Sequence, residues 1–208
     1  MSPAPPPFAR RVAIRADGSG QIGLGHILRT MAVADELART GARTSYLCRT
    51  LPPWAATLLR RRGHGLHALD LRPDAPERED AEQSLAVLEA LQPDVILLDH
   101  YALGEAWTTQ VAAGTGKPLA ALDDLASFKR DIGLVVDPTP DRLPGAYADL
   151  VPAGALCLTG ADFAPLRPEF ALARPSDAEP VPTGALTVGV MMGGADPTGL
   201  TLPCLDAL

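Results

Sequence analysis

The chain has 208 residues, 47% of them hydrophobic, which predicts one packed domain or one domain and part of a second. A formal net charge of −7 without a basic stripe argues against a nucleic-acid partner. The three cysteines, at positions 48, 157 and 204, form no CxxC pair, which favours buried thiols in a reducing compartment over a zinc site or a disulfide framework.

The chain opens on a proline-rich stretch without the apolar core of a signal peptide, so residues 1–10 are predicted to form a disordered tail. Apolar runs long enough to span a bilayer are not found in the sequence. We therefore expect a cytoplasmic monomer that has no membrane partner.

Strand and helix patterns alternate through the first 140 residues or so. Strands are predicted at 11–16, 44–48, 67–69, 94–98, 119–122 and 134–136. Helices are predicted at about 26–40, 54–62, 81–91 and 106–113, with a charged loop at 72–79. This βαβ rhythm predicts an α/β fold: a doubly wound, mostly parallel, Rossmann-like sheet with helices on both faces.

A second unit is predicted after residue 173. Residues 174–184 are rich in proline and polar residues and are typical of a linker. A strand is predicted at 185–192, followed by a turn and a helix that has Asp196 as N-cap and Pro197 at its first position. Because the sequence stops inside this helix, we expect the first βα unit of a truncated second α/β domain, and an isolated 1–208 segment that folds but lacks activity.

The segment DGSGQIGLGHILR, from Asp17 to Arg29, joins the first strand to the first helix. Its glycines allow the backbone to approach a ligand closely. His26 falls at the helix N-terminus and at the carboxyl edge of the sheet, where ligands of open α/β proteins bind. The positive end of the helix disfavours an imidazolium, so His26 is a candidate general base; the alternative is a capping or core histidine.

The same segment contains a GxGxxG match formed by Gly18, Gly20 and Gly23, which raises a dinucleotide site as an alternative. The acidic residue expected about 20 residues later is missing, although Arg49 at the end of the second strand suits a 2′-phosphate. The dinucleotide hypothesis therefore stays open.

Polar residues follow two other predicted strands at the same edge. Asp99, His100 and Tyr101 are candidates for orienting water or a sugar, the alternative being an ordinary turn. Asp123 and Asp124 form a carboxylate pair for which hydrogen bonds to a sugar, or a helix cap, are favoured over a metal because no third ligand is evident. We expect neither a metal nor a cofactor.

The order of these motifs resembles the UDP-2,4-diacetamido-2,4,6-trideoxy-β-L-altropyranose hydrolase family of pseudaminic acid biosynthesis. The motifs are RADGSGQIGLGHILR, LDHY, LDD, PLRPEF and MGGADP, and the resemblance, with the strand before them, spans Arg11 to about Gly199. GxGH followed by Arg is the most specific part. The resemblance implies a fold similar to two-domain GT-B type glycosyltransferases, with a sugar-binding and catalytic domain at 11–173 and a UDP-binding domain that begins at 185.

The resemblance also implies roles for individual residues. It places the general base on His26, with Asp99 and Tyr101 beside it in catalysis. Substrate contacts fall on Arg15, Asp17, Gly18, Gln21, Gly23, Gly25, Arg29, His100, Asp123 and Asp124. The diphosphate falls on Gly193, Gly194 and Asp196, at the start of a helix. The chain departs from the family pattern at Asp137, where asparagine is expected, and at Phe163, where tyrosine is usual.

The predicted activity is hydrolysis of a UDP-activated diacetamido sugar, with water attacking the anomeric carbon as UDP leaves. Two alternatives remain. A glycosyltransferase of the same architecture would use an acceptor hydroxyl in place of water. A non-catalytic α/β interaction module would keep the sheet and perform no chemistry.

Overall fold

The structure, a computed structural model, describes residues 10–174, 184, 187–192, 196 and 198–208. Its strands are β1 (Arg11–Ala16), β2 (Arg43–Cys48), β3 (Gly65–Ala68), β4 (Val95–Asp99), β5 (Leu119–Leu122), β6 (Leu134–Asp137) and β7 (Leu156–Thr159). Its α-helices are α1 (Gly25–Arg39), α2 (Pro53–Arg61), α3 (Glu77–Leu91), α4 (Glu105–Thr115), α5 (Pro168–Leu172) and α6 (Thr201–Asp206). Short 3-10 turns lie at Pro144–Tyr147 and Ala161–Phe163.

The seven strands form one sheet in the order β3-β2-β1-β4-β5-β6-β7, and every pair is parallel. The chain first builds outward from β1 to β3, then crosses back to β4 and builds in the opposite direction. Val12 of β1 is in register with Thr44 on one side and Val95 on the other, so the topological switch point lies between β1 and β4. The doubly wound α/β prediction is confirmed, with an entirely parallel sheet.

Alternating side chains of β1 divide the core into two layers. Val12 and Ile14 pack in the layer that contains α1 and α2, whereas Ala13 packs in the layer that contains α3 and α4. Arg15 faces the second layer as well, where it is a charged residue buried in the interior of the domain. Such a residue requires charged partners, and these partners prove to be part of the site.

Two helix boundaries differ from the predictions. Helix α3 begins at Glu77, inside the predicted loop, because Pro76 holds an extended backbone before it and the acidic first turn complements the helix dipole. Helix α4 continues through Gly114 and ends at Thr115, where it is capped by Gly116 in a left-handed conformation with φ of 63°. Strand β7 and helix α5 were not predicted.

The second unit is the part of the chain where the secondary-structure predictions were wrong. Residues 187–192 form no strand, and α6 begins at Thr201, several residues after Asp196. Asp196 still acts as a local acceptor, since its carboxylate receives the backbone N–H groups of Leu200 and Thr201. Gly193, Gly194 and Pro197 lie outside the described residues, so the linker and the UDP-binding domain remain predictions.

The cysteines are free thiols that differ in burial. Cys48 is buried, and burial raises its pKa to about 12, whereas Cys157 and Cys204 are only half-buried. Across the described ranges, the helices are all too short or too polar to cross a membrane.

Candidate functional site

The glycine segment leads directly from β1 into α1 at the switch point. The backbone N–H of Gly18 donates to the carbonyl of Thr50, 2.9 Å away, and ties the segment to the end of β2. A Cβ added at Gly18 would stand 3.0 Å from Cγ1 of Ile27, a contact that only glycine avoids without movement. Gly23 has φ of 81°, which favours glycine, so the segment turns back and places α1 over the sheet edge.

His26 is the second residue of α1, and its side chain is 4% exposed. Its Nδ1 lies 2.6 Å from Oδ1 of Asp99, the last residue of β4. Asp99 is fully buried, so the strand end and the helix start hold one rigid imidazole–carboxylate pair. The sequence predicted both residues at this edge, and the structure brings them together.

Arg29, one turn further along α1, clamps the same carboxylate. Its Nε donates to Oδ2 of Asp99 and its Nη2 to Oδ1, each at 2.6 Å, while its Nη1 donates to Oδ2 of Asp124 at 2.6 Å. Burial acts to lower the pKa of Arg29, but the hydrogen bonds and ion pairs with Asp99 and Asp124 outweigh it and raise this pKa above its usual value. The guanidinium therefore stays charged at every working pH.

The contacts of His26 indicate which ring nitrogen carries the proton. Arg29 Nη2 lies 3.3 Å from Nδ1 of His26, but Nη2 already donates to Asp99. We therefore assign the ring proton of His26 to Nδ1, which donates to Asp99, because this tautomer is consistent with both contacts. The acceptor is then Nε2, to which nothing in the described part of the chain forms a hydrogen bond.

Tyr101 lies beside His26 and Asp124, at the rim of this arrangement. Its hydroxyl donates to Oδ2 of Asp124 at 3.0 Å, and its ring lies edge-on to the His26 ring with centroids 4.4 Å apart. Burial, with the neighbouring Asp124 carboxylate, raises the pKa of Tyr101 to about 12, so the hydroxyl remains protonated near neutral pH. We call the set His26, Arg29, Asp99, Tyr101 and Asp124 the outer cluster.

A second charged group lies deeper at the same edge and is centred on Arg15, which is 1% exposed. Its guanidinium binds Asp17 through Nη1 at 2.8 Å and Nη2 at 3.0 Å, and Asp80 through Nε at 3.0 Å and Nη2 at 2.6 Å. Asp80 also accepts the indole N–H of Trp107 at 2.9 Å. We call the set Arg15, Asp17, Arg49, Asp80 and His100 the inner cluster.

Asp17 connects the remaining members of the inner cluster. The backbone N–H of Ala102 donates to Nδ1 of His100, so Nε2–H of His100 donates to Oδ2 of Asp17, 3.1 Å away. Burial acts to raise the pKa of Asp17, but hydrogen bonds from His100 and Arg15 outweigh it and hold this pKa well below its usual value. Arg15, Asp17 and His100 are thus buried and paired with one another, and direct substrate contact by them stays a prediction.

Asp123 and Asp124 point in different directions. Asp123 accepts the backbone N–H groups of the next two residues through Oδ1 and Nη1 of Arg130 through Oδ2, at 2.8 Å. Asp124 faces the outer cluster. Within the described ranges, no three His, Cys, Asp or Glu side chains are grouped so that they could hold a metal ion.

The other predicted residues occupy varied positions. Gln21 is exposed at the tip of the glycine segment, and Gly25 opens α1. Arg49 does not support the dinucleotide alternative, because its side chain is 5% exposed and is directed at Asp17, 3.4 Å away, and at the carbonyl of Ala75. The described contacts do not connect Asp196 to the site.

The two departures from the family pattern have structural roles here. Asp137 is buried and accepts Nε of Arg142 and the hydroxyl of Tyr147, both at 2.8 Å. Phe163 is 41% exposed and lines an apolar groove away from both clusters.

Sequence reasoning missed Asp80 and Arg130, the carboxylate and the guanidinium that neutralise buried partners. A signal for Asp80 exists, because Asp80, Ser84 and Leu88 fall on one stripe of α3. A charged residue on an apolar helix stripe, together with Arg15 in an apolar strand, indicates a buried ion pair. Arg130 lies in a loop and carries no comparable signal.

No protein-family model matches the chain, and no curated protein matches it in sequence. Among solved structures, the chain is similar to Acinetobacter baumannii MurG, with a TM-score of 0.49 and 16% identity over 65% of this chain and 43% of that one. A Rickettsia africae glycosyltransferase aligns with a TM-score of 0.45 at 12% identity, over 55% of this chain and 30% of that one.

A glycotransferase of kitacinnamycin aligns with a TM-score of 0.41 at 21% identity, over 56% of this chain and 30% of that one. The chain thus spans less than half the length of each of these three proteins. These are distant likenesses, and the α/β assignment rests on the strand order itself.

Proposed function

We propose that the outer cluster is the water-activating centre of a hydrolase that acts on a UDP-activated amino sugar. The observation that carries the proposal is the pairing of His26 Nδ1 with the buried Asp99, which leaves Nε2 as a proton acceptor at the carboxyl edge of the switch point. An imidazole oriented by a buried carboxylate is an arrangement that supports general-base catalysis.

In the proposed reaction, Nε2 of His26 takes a proton from water as the water oxygen bonds to the anomeric carbon. The bond from that carbon to the diphosphate oxygen breaks, and the electron pair leaves with UDP. Asp99 stabilises the imidazolium that forms, and Arg29 holds Asp99 in place through two hydrogen bonds. A good leaving group needs no general acid, so the chemistry requires one base only.

Sugar binding is proposed for the rim of the outer cluster. Asp124 accepts hydrogen bonds from Arg29 and Tyr101 through Oδ2, while its Oδ1 has no partner among the described residues. Oδ1 is itself buried, so a sugar amide N–H or hydroxyl is proposed to meet the exposed part of the Asp124 side chain, which is 29% exposed overall. The diacetamido-trideoxy sugar of pseudaminic acid biosynthesis is the specific substrate that we propose.

The remaining features of the proposal lie outside the two clusters. UDP is proposed to bind at Gly193, Gly194 and Asp196, in a second domain that packs against this one. The protein would act in the cytoplasm as a monomer, without a metal or a cofactor.

A glycosyltransferase is the second candidate, because Nε2 of His26 would serve an acceptor hydroxyl as well as water. We keep this candidate because Tyr101, at the rim of the outer cluster, is 39% exposed, and an acceptor could approach past it. A non-catalytic module is the third.

The deciding experiment measures UDP release from the UDP-activated diacetamido sugar by the full-length protein, with and without sugar acceptors. We expect release in water alone, and loss of release in His26→Asn. Release that requires an acceptor would identify a transferase, and no release under either condition would favour an interaction module.

A further inference from the structure

An apolar groove runs along the α1 side of the sheet, beside the site but separate from it. Its floor consists of residues from β1, β4, β5 and β6, and its walls consist of the end of α1 and of Phe163 and Pro165. The floor includes Leu97, Leu122 and Val136. The groove has a volume of about 580 Å³, within the range of ligand and peptide sites.

The topology explains why this surface is left open. Right-handed crossovers place α1 and α2 on one face beside β1 to β3, and α3 and α4 on the opposite face. In the described part of the chain, no helix is built between β5 and β6 or between β6 and β7 on the α1 side. The face above β4, β5 and β6 therefore lacks the cover that a parallel sheet needs on both sides.

We propose that the N-terminal segment, residues 1–9, docks in this groove. The first observation is continuity, because Arg10, to which the segment is joined, itself lines the groove. The second is reach. Nine extended residues span up to ~30 Å, whereas the four strands of the floor span only ~14 Å.

The chemistry of the segment matches the groove. Residues 1–9 read MSPAPPPFA and carry no charged side chain, which distinguishes them from the arginines at positions 10 and 11. Four of the nine are prolines, which lack a backbone N–H and favour the polyproline II conformation. Such segments bind apolar, aromatic-lined grooves without leaving buried donors unpaired, and Phe163 and Pro165 provide such a wall here. Phe8 is the residue that would fill the groove.

Docking there would also affect the outer cluster. Leu97 and Asp99 share one face of β4, because side chains alternate along a strand, and Leu122 ends β5 two residues before Asp124. The docked segment would lie behind the ion pairs of Arg29 with Asp99 and Asp124. It would exclude water from that side of the site, although the inference itself does not depend on the proposed reaction.

The test combines Phe8→Ala, Phe163→Ala and the double variant in the full chain, with Phe170→Ala as the control. Phe170 is an exposed phenylalanine of α5 that does not line the groove. We expect Phe8→Ala to lower Tm by about 3–6 °C and to increase binding of a hydrophobic dye. The double variant should lose less than the sum of the single losses, because both remove the same contact.

Two results would overturn the proposal. One is a Phe8→Ala variant with wild-type Tm and dye binding. The other is a dimer in sedimentation that dissociates on Phe163→Ala but not on Phe8→Ala, because a second copy would then be the occupant. A proximity measurement completes the test: a Phe8→Cys/Leu134→Cys pair, with Cys157 and Cys204 replaced by serine, should form a disulfide on mild oxidation, whereas a Ser2→Cys/Glu105→Cys pair should not.

Discussion

The outer and inner clusters lie at the same sheet edge and use the same residue types, yet they differ in what they leave free. In the inner cluster, Arg15 binds two carboxylates, and Asp17 accepts hydrogen bonds from side chains and from the backbone of Arg49 and Thr50. In the outer cluster, Nε2 of His26 lacks a partner among the described residues. Buried charge is therefore a poor marker of a reactive site, and a free acceptor at the rim is a better one.

The largest effect should come from removing that free acceptor. His26→Asn keeps a polar side chain at the helix start but removes the base, and we expect kcat to fall by about 10²- to 10⁴-fold. Substrate binding and Tm should change little. The measurement is UDP release at saturating substrate, together with a thermal melt.

His67→Asn is the matched control, because His67 lies on β3 and its side chain forms no hydrogen bond or ion pair with either cluster among the described residues, so kcat should be unchanged. If His26→Asn turned over as fast as His67→Asn, His26 would be a structural residue of α1.

Substitution of an inner-cluster residue should lower the stability of the fold. Arg15→Met removes the cation shared by two buried carboxylates, and we expect a loss of about 3–5 kcal/mol in the free energy of unfolding. Urea denaturation measures it. Arg39→Met is the control, since its ion pair with Glu36 is solvent-exposed and should contribute far less to stability. Equal losses in the two variants would mean that the inner cluster is not a structural anchor.

Low pH should lower the free energy of unfolding through Asp17 of the inner cluster. The pKa of Asp17 is lowered in the folded state, so its contribution to stability is complete above the ordinary aspartate pKa of about 4 and is lost as pH falls below it. One such group changes the free energy of unfolding by at most about 1.4 kcal/mol per pH unit. Urea titrations at several pH values between 5 and 3 should show a smaller acid-dependent loss in Asp17→Asn than in the wild type. Parallel pH profiles would contradict this assignment.

The smallest effect is expected at the rim. Tyr101→Phe removes one hydrogen bond to Asp124, worth about 1 kcal/mol, so kcat/KM should fall by about 5-fold. Because the pKa of Tyr101 is raised to about 12, its hydroxyl stays protonated and the wild-type rate should show no loss due to Tyr101 between pH 7 and 10. A Tyr101→Phe variant that altered the pH profile in that range would show that Tyr101 titrates during turnover.

The fold around the site was predictable because local patterns determined it. Apolar runs located β1 and β4, and the glycine segment located the start of α1 to within one residue, so His26 and Asp99 could be assigned to one edge. Strand β7, of sequence LCLT, was missed although β5 and β6, which are equally short, were predicted; β7 lies at the sheet edge, where none of its residues is buried. The strand predicted at 185–192 was wrong for the described residues 187–192, where an apolar run was given more weight than its context.

The partners within each cluster were not predictable in the same way. Arg15 and Asp80 are 65 positions apart, and Arg29 and Asp124 are 95 apart, so nothing local connects them. Sequence patterns indicate which residues end a strand, but not which of them are neutralised by a neighbour. The distinction between the two clusters, on which the functional proposal depends, became visible only in the folded structure.

The central claim is that water, activated at His26, attacks the anomeric carbon. It is tested most directly by assaying the full-length protein with the UDP-activated sugar in water enriched in ¹⁸O and measuring the masses of both products by mass spectrometry. The account predicts one heavy oxygen in the released sugar and none in UDP. Label in UDP would place the attack on phosphorus and contradict the account.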